Sequence, residues 1–417
     1  MKDSRLEQAF DRAKEQYQGI GIDVETATEI LGRVPLSLHC WQGDDVTGFE
    51  HERATLAGSG LAVTGSYLGR ARNPTELRKD MEIAFSLIPG RHRVNLHAMY
   101  GEFPAGIERD AIAPEHYLGW LAWARERGLG LDFNATLFAH AKAASGFTLS
   151  STDESVRRFW IEHVRRSREV GAFLGRELGS PCIHNLWIPD GAKDAVIDRW
   201  ERRSALRKAL DDAFAKSYPP TELKDSVESK LWGVGSETFV VGSHEFYLGY
   251  ALSRGLLLCL DMGHFHPTES VADKVSAILQ FSGELLIHVS RGVRWDSDHV
   301  VVLDGGLQDV MSEVVRTGAL GRVHFALDYF DAGMNRVAAW VIGARAALKA
   351  LLAALLEPVA QLRELDQTGR LALLEQARMM PLGAVWDYCC LRAGVPLEQD
   401  WMVDVRRYES EVLSGRQ

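Results

Sequence analysis

A closed (β/α)8 barrel with an additional C-terminal helical region is the fold class predicted by this 417-residue sequence. Three observations predict it. Eight short runs rich in Val, Ile and Leu recur, at residues 35–41, 93–100, 129–134, 182–188, 227–232, 256–262, 285–290 and 323–329. Stretches with helical periodicity separate them, the alternation of parallel strands joined by crossover helices. No Gly-x-Gly-x-x-Gly follows the first run, which counts against an open, doubly wound sheet.

Each element follows from its own residues. The chain opens on "MKDSRLEQAFDRAKEQY", a charged amphipathic helix without the apolar centre of a signal peptide. After the first run, residues 42–90 form a long loop insertion, and the glycines of "GSGLAVTGSYLGRAR" mark its centre as irregular. The clearest helix covers 153–175. Val156, Phe159, Trp160, Val164 and Leu174 share one face, most arginines take the other, and Asp153 is placed to cap its start. Beyond the eighth run, residues 335–417 read as helices outside the barrel. The most apolar of them, 337–356, contains Arg345 and Lys349, as a packed helix does and a membrane span does not. No linker or low-complexity tract divides the chain. The expectation is one barrel domain, 1–334, with an extension at 335–417 used in oligomerisation.

Composition narrows the function. The formal net charge of −10 repels phosphate, so nucleic acid is not an expected partner, while divalent cations are welcome. Five cysteines, an odd number with no C-x-x-C and with Cys389 beside Cys390, fit reduced thiols in a cytoplasmic protein.

Barrels of this class carry their chemistry at the C-terminal ends of the strands. Polar residues gather there on run after run. The first supplies His39 and Trp41, the second His97, the third Asp132 and Asn134, and the fourth Trp187 and Asp190. The fifth supplies Glu228 and Lys230, two apart and so on one side of a strand. Asp261 and His264 end the sixth, His288 the seventh, with Asp296 and Asp298 just beyond, and Asp328 the eighth. Carboxylates converging at low dielectric repel strongly unless cations neutralise them. The second half of the barrel offers enough donors for two ions. Oxygen-rich sets with one imidazole each favour Mn2+, Mg2+ or Co2+ over structural zinc.

Every one of these residues has an ordinary alternative. A lone His264 or His288 is more often a satisfied core histidine than a ligand. Asp190 before Gly191 suits a turn, and Asp331 suits a helix cap. Glu228 and Lys230 could form a surface pair, and Trp41 and Trp187 could be core. His266, before Pro267, reads equally as a supporting partner or a turn residue. What the alternatives do not predict is convergence on one end of successive strands.

Long motifs point to a family. "VPLSLHCWQGDDVTGFE" (34–50), "ESKLWGVGSETFVVGSHEFYLGYA" (228–251), "CLDMGHFHPTE" (259–269), "HVSRGVRWDSDHVV" (288–301) and "AAWVIGARAALKALLAALLEP" (338–358) resemble bacterial L-rhamnose isomerases, and the resemblance covers nearly the whole chain. It implies a xylose-isomerase-like barrel, a homotetramer, a cytoplasmic enzyme of rhamnose catabolism and an aldose–ketose isomerisation with a small sugar as substrate. It also implies two divalent ions per subunit, typically Mn2+, with Co2+, Zn2+ and Mg2+ as alternatives. By resemblance, Glu228, Asp261, His288 and Asp328 hold a structural ion. His264, Asp296 and Asp298 hold a catalytic one, bridged by Asp261. Lys230 would bind O1, a water near Asp296 and Asp298 would take the O2 proton, and His97 would assist ring opening or bind a ring hydroxyl. Trp41, Phe133 and Trp187 would wall the sugar. With nearly every acid claimed as a ligand, only His97 and Asp132 remain as bases, and a direct 1,2-hydride shift is expected. The competing readings are a metal-dependent barrel hydrolase such as a phosphodiesterase, and a non-enzymatic sugar-binding or scaffold protein that keeps its metal for stability.

Overall fold

The computed structural model describes residues 2–50, 63–230, 238–294 and 297–416. Eight parallel strands close into one barrel. They are β1 Pro35–His39, β2 Arg91–His97, β3 Gly130–Asn134, β4 Cys182–Trp187, β5 Leu223–Glu228, β6 Leu257–Asp261, β7 Leu285–Val289 and β8 Val323–Leu327. Neighbours in sequence are neighbours in the sheet, and β1 closes on β8 with Leu36 opposite Phe325 and Ser37 opposite Ala326. Strands in such a barrel are covered on both faces, which is why they read as unbroken apolar runs.

The fifth strand departs from the expected 227–232. It runs Leu223–Glu228, and residues 231 and 232 lie outside the described residues. Lys224 and Asp225 interrupt the apolar pattern there, yet both are neutralised locally. Lys224 pairs with Glu284, and Asp225 is gripped by Arg168 at 2.8 Å and His184 at 3.0 Å.

The helices meet their sequence signals at the caps. Helix α1 spans Lys2–Gln18 and α2 spans Val24–Leu31. Helix α3, Pro74–Ser86, lies inside the stretch expected to be one long insertion: Asn73 caps it and Pro74 takes its first turn, so the irregular part ends at residue 73. Helix α4 is Leu118–Arg127, and α5 is Glu154–Leu178 with Asp153 accepting from the Ser155 and Val156 amides. Next come α6 Arg199–Ala213, α7 His244–Arg254, α8 Val271–Ile278 and α9 Gly305–Arg316.

Helix α10, Arg336–Leu355, begins just past residue 334. It packs against α9, α3 and α2 as the last member of the ring around the barrel, and most of its residues are buried. A helix covered on so many sides is apolar nearly all round, which explains its even apolarity. Only α11 Val359–Glu364, α12 Gln367–Arg378, α13 Leu382–Ala393 and α14 Trp401–Glu411 follow the ring. Asp331 does not cap α10. Asn335 does, and Asp331 accepts from the Gly333 amide instead.

Helix α14 returns the end of the chain to the barrel mouth. Glu409 accepts from the Tyr67 hydroxyl at 2.8 Å and from Asn335 at 2.6 Å. Arg416 reaches Asp80 on α3 at 2.6 Å, and Tyr408 donates to the same carboxylate.

Trp340 joins the ring to the barrel. It is fully buried, and its indole Nε1 donates to His39 O at 2.8 Å. Trp340→Ala is expected to lower unfolding free energy by about 3–5 kcal/mol, read as a shift in the denaturation midpoint, because a large cavity and an unsatisfied strand carbonyl are left together.

Candidate active site

Alternation along each strand sends every second residue into the barrel. From bottom to top the inward positions are Lys224, Ser226 and Glu228 on β5, Leu257, Cys259 and Asp261 on β6, Leu286 and His288 on β7, and His324 and Ala326 on β8. The register then fixes heights: Asp261 lies beside His288, and Asp328, one step past β8, anchors its amide on Val289 O at 3.1 Å. Glu228, Asp261, His288 and Asp328 converge so closely that one ligand atom from each falls within 4.8 Å of all the others.

Each carboxylate is held by one oxygen and offers the other. Asp261 Oδ1 accepts from the Gly263 amide at 2.6 Å and from the Ser290 hydroxyl, while Oδ2 makes no hydrogen bond. Glu228 Oε2 accepts from Asn185 and lies 3.5 Å from His288 Nδ1, while Oε1, without a hydrogen bond, lies 3.1 Å from His264 Nδ1. Asp328 Oδ1 accepts from Trp41 Nε1 at 3.1 Å, while Oδ2 lies 3.1 Å from His288 Nδ1. Both ring nitrogens of His288 lack a hydrogen bond, although three carboxylates surround the ring. Buried acceptors are normally paired, and unpaired ones gathered at one point are what a cation would satisfy. Three carboxylates and an imidazole form a hard donor set suited to a divalent ion. The residues therefore fit the group.

The electrostatics of the ring are split. Burial, with Glu228 and Asp328 nearby, pushes Asp261 up to about 7. Burial also opposes ionisation of Glu228, but His288 and His264 outweigh it and hold that carboxyl well below its usual range. Cys259, one step below Asp261, stays a thiol because burial raises it.

Beside the ring opens a pocket lined by Trp41, His97, Phe138, Trp187, Lys230, His264, Asp298 and Asp328, with Asn134 among its polar groups. His264 donates from Nδ1 to Ser229 O at 2.8 Å, which leaves Nε2 as the nitrogen with a lone pair for a ligand. Asp298 stands in the left-handed region, φ +46°, and its carbonyl accepts from Phe330 N at 3.2 Å. Lys230 Nζ sits 4.8 Å from the Trp187 ring centroid. His97 contacts Thr136 Oγ1 at 3.2 Å, and burial pushes it down to about 4, so it is neutral near pH 7.

Asp296 lies outside the described residues. Phe133 is displaced from its expected role: with Asp132 and Asn134 facing inward, it must face outward, where it packs on Tyr117 with centroids 5.0 Å apart. Phe138, a loop residue with no periodic signal, forms that wall instead. Asp132 is not available as a base at the pocket. It lies a layer lower, where Arg93 holds it at 2.7 Å and Ser37 at 2.7 Å. Asp190 is neither ligand nor simple turn residue: its carboxylate accepts from both the amide and the hydroxyl of Thr148 and Ser150. Trp41 lines the pocket and also orients Asp328. The partners Asn185 and Ser290 were not expected, although each sits one strand period from a named residue: Asn185 two before Trp187, Ser290 two after His288.

Comparison with known proteins finds relatives over nearly the whole chain. The family model for L-rhamnose isomerase matches residues 4–416. The L-rhamnose isomerase of Rhodopirellula baltica is 56% identical over 415 residues, covering 99% of this chain and 97% of its own. That of Escherichia coli K12 is 52% identical over 417 residues, covering 99% of each. This chain belongs to the L-rhamnose isomerase family.

In this L-rhamnose isomerase family member, one buried arginine ties the pocket rim together. Arg109 donates to both oxygens of Glu50 and to the carbonyls of Thr136 and Phe138. His163 accepts from the Thr136 amide through Nε2, so its Nδ1 carries the proton donated to Arg109 O at 2.8 Å.

Burial holds His163 down at about 3 and His92, below α3, at about 4. Unfolded, both titrate near about 6.5, so between these values the unfolded chain binds more protons than the fold. Stability is therefore full above about pH 6.5 and falls as pH drops toward 4, by on the order of 3 kcal/mol per histidine. Urea midpoints across that window check it, and His92→Gln is expected to flatten the slope.

Proposed function

We propose that this chain interconverts L-rhamnose and L-rhamnulose with two divalent ions per subunit, Mn2+ first among them, as a homotetramer in the cytoplasm. The observation that carries the reading is the ring of Glu228, Asp261, His288 and Asp328, one ligand atom of each within 4.8 Å of all the others, beside the Lys230 pocket. His264, Asp298 and, outside the described residues, Asp296 are assigned to the second ion. Divalent ions at these positions supply Lewis-acid polarisation of the sugar's carbonyl and hydroxyl oxygens.

The chain's own residues do the rest. Trp41, Phe138 and Trp187 bind the apolar face of the sugar and its methyl group and exclude water. Lys230 donates to O1, where negative charge develops as the aldehyde changes to an alcohol. Asp298 receives the proton of the O2 hydroxyl. Neutral His97 binds a ring hydroxyl and assists opening of the cyclic sugar. The hydrogen on C2 then passes to C1 with its bonding electrons, and the proton taken from the O2 hydroxyl is returned to O1, so Asp298 and Lys230 end as they began. A proton route needs an unclaimed base across C1 and C2. Asp132 lies below the pocket under Arg93, and His97 is committed to the hydroxyls. A metal-dependent phosphodiesterase is disfavoured, because the described pocket wall carries one cation, Lys230, against several carboxylates. Exposed Leu371 and Met379 on and beside α12 give the proposed tetramer an apolar surface.

Chelation is expected to abolish ketose formation from L-rhamnose, and Mn2+ or Co2+ to restore it. Full turnover by a preparation shown metal-free by elemental analysis overturns the metal reading, and sugar binding without any ketose favours the non-enzymatic one. A panel with L-mannose, L-lyxose and D-allose ranks the substrates.

The hydrogen transfer has its own check. In D2O, early L-rhamnulose is expected to carry almost no deuterium at C1 by NMR. Substantial C1 deuterium rejects the direct shift.

A further inference from the structure

The ring is supported from below by an amide that no part of the reaction requires. Asn185 on β4 faces inward, opposite Ser226 and one period below the Trp187–Glu228 pair. It is 2% exposed. Its Nδ2 donates to Glu228 Oε2, and its own Oδ1 has no hydrogen-bond partner among the described residues. Turning the amide over would face its carbonyl to a carboxylate, two acceptors against each other, so the carboxylate fixes the orientation.

Asn185 also lies at the top of a second cavity of about 380 Å³, which runs up the inside of the barrel from Arg33, Pro35 and Leu320. It is thus a partition: amide hydrogen to the cluster above, carbonyl to the cavity below. The strands beside it repeat the chemistry. Asn134 pairs with Asn185 in register and donates to Asn95 Oδ1 at 2.6 Å. Strands β2 to β4 therefore present neutral amides at a level near that where β5 and β6 present acids. Aspartate is nearly the same shape as asparagine. At position 185 it would remove the donor and add a further negative charge against Glu228.

We propose that Asn185 is the positioning residue that sets the divalent-cation affinity of the Glu228 side of the cluster. By donating to Oε2, which lies 3.5 Å from His288 Nδ1, it fixes the rotation of the carboxylate at the shared centre. By being neutral it limits the negative charge that a cation must offset. The inference rests on the ligand reading given above for Glu228, Asp261, His288 and Asp328. Loss of a partner of this kind lowers metal affinity by about 10–100-fold.

The test uses the full-length protein, stripped with chelator and titrated with Mn2+ by calorimetry, with free Mn2+ followed by electron paramagnetic resonance. Asn185→Leu keeps the volume and removes the donor. Its Mn2+ dissociation constant is expected to rise by about 10–100-fold, while KM for L-rhamnose at saturating Mn2+ stays that of the parent. Asn185→Ser, which retains a donor, is expected to fall between the two and serves if the leucine variant does not fold. Parental Mn2+ affinity in both variants overturns the proposal, and so does a fall in melting temperature unaccompanied by any change in Mn2+ binding. Failure of the parent itself to bind Mn2+ is a different result: it removes the ligand reading on which the proposal stands.

Discussion

Three carboxylates enclosed with one imidazole at the mouth of a barrel repel one another across a few ångströms of low dielectric, and the rest of the molecule is arranged around that repulsion. Each acid is pinned by a donor on one oxygen: Asp261 by Gly263 and Ser290, Glu228 by Asn185, Asp328 by Trp41. Pinning one oxygen decides where the other points. The repulsion is thereby turned into a preformed demand for positive charge at a single place, beside the pocket that Lys230, Trp187 and Phe138 enclose.

The same barrel solves a different charge problem in its lower half. Arg93 with Asp132, and Lys224 with Glu284 and His324, are closed pairs that leave nothing to bind. Burial opposes ionisation of Asp132, and Arg93 more than offsets it, so that acid stays charged. Between the two levels lies a small apolar layer of Ile183, Leu257, Cys259, Leu286 and Ala326. Acids below are closed by an arginine or lysine of the same chain, whereas Asp261, Glu228 and Asp328 are pinned by neutral donors and share the imidazoles of His288 and His264. That contrast, more than the number of acids, separates the ligand cluster from the structural ion pairs.

Most of this was legible before any coordinates. Parallel strands covered on both faces are apolar nearly throughout, so seven of the eight were plain from runs of Val, Ile and Leu. β5 slipped by four residues because Lys224 and Asp225 look like a loop until their partners, Glu284 just before β7 and Arg168 on α5, are known. Glu228, Asp261, His288 and Asp328 were readable because strand ends in a barrel meet. Phe133 was misplaced because the period of two, applied from Asp132 and Asn134, had not been extended to the residue between them. Phe138 and Arg109 act from irregular segments, where no periodicity marks which side chain turns inward. Helix α10 looked like an appendage because a helix apolar on every side gives no sign of which neighbours cover it.

The return of α14 to the mouth has a consequence for the order of events during synthesis. Tyr67 and Asn335 share Glu409, Arg336 holds Asp45 and the Tyr67 carbonyl, and Asp80 waits for Tyr408 and Arg416. Chains fold from the N-terminus as they leave the ribosome. The strands and the ligand cluster can close once β8 has emerged. The described rim residues 45–50 and 63–72 are not fully fastened until the last helix follows. A nascent chain thus acquires its metal-binding ring before it acquires a secured entrance, so the ring is open to cations from the surrounding solution before the entrance is fixed.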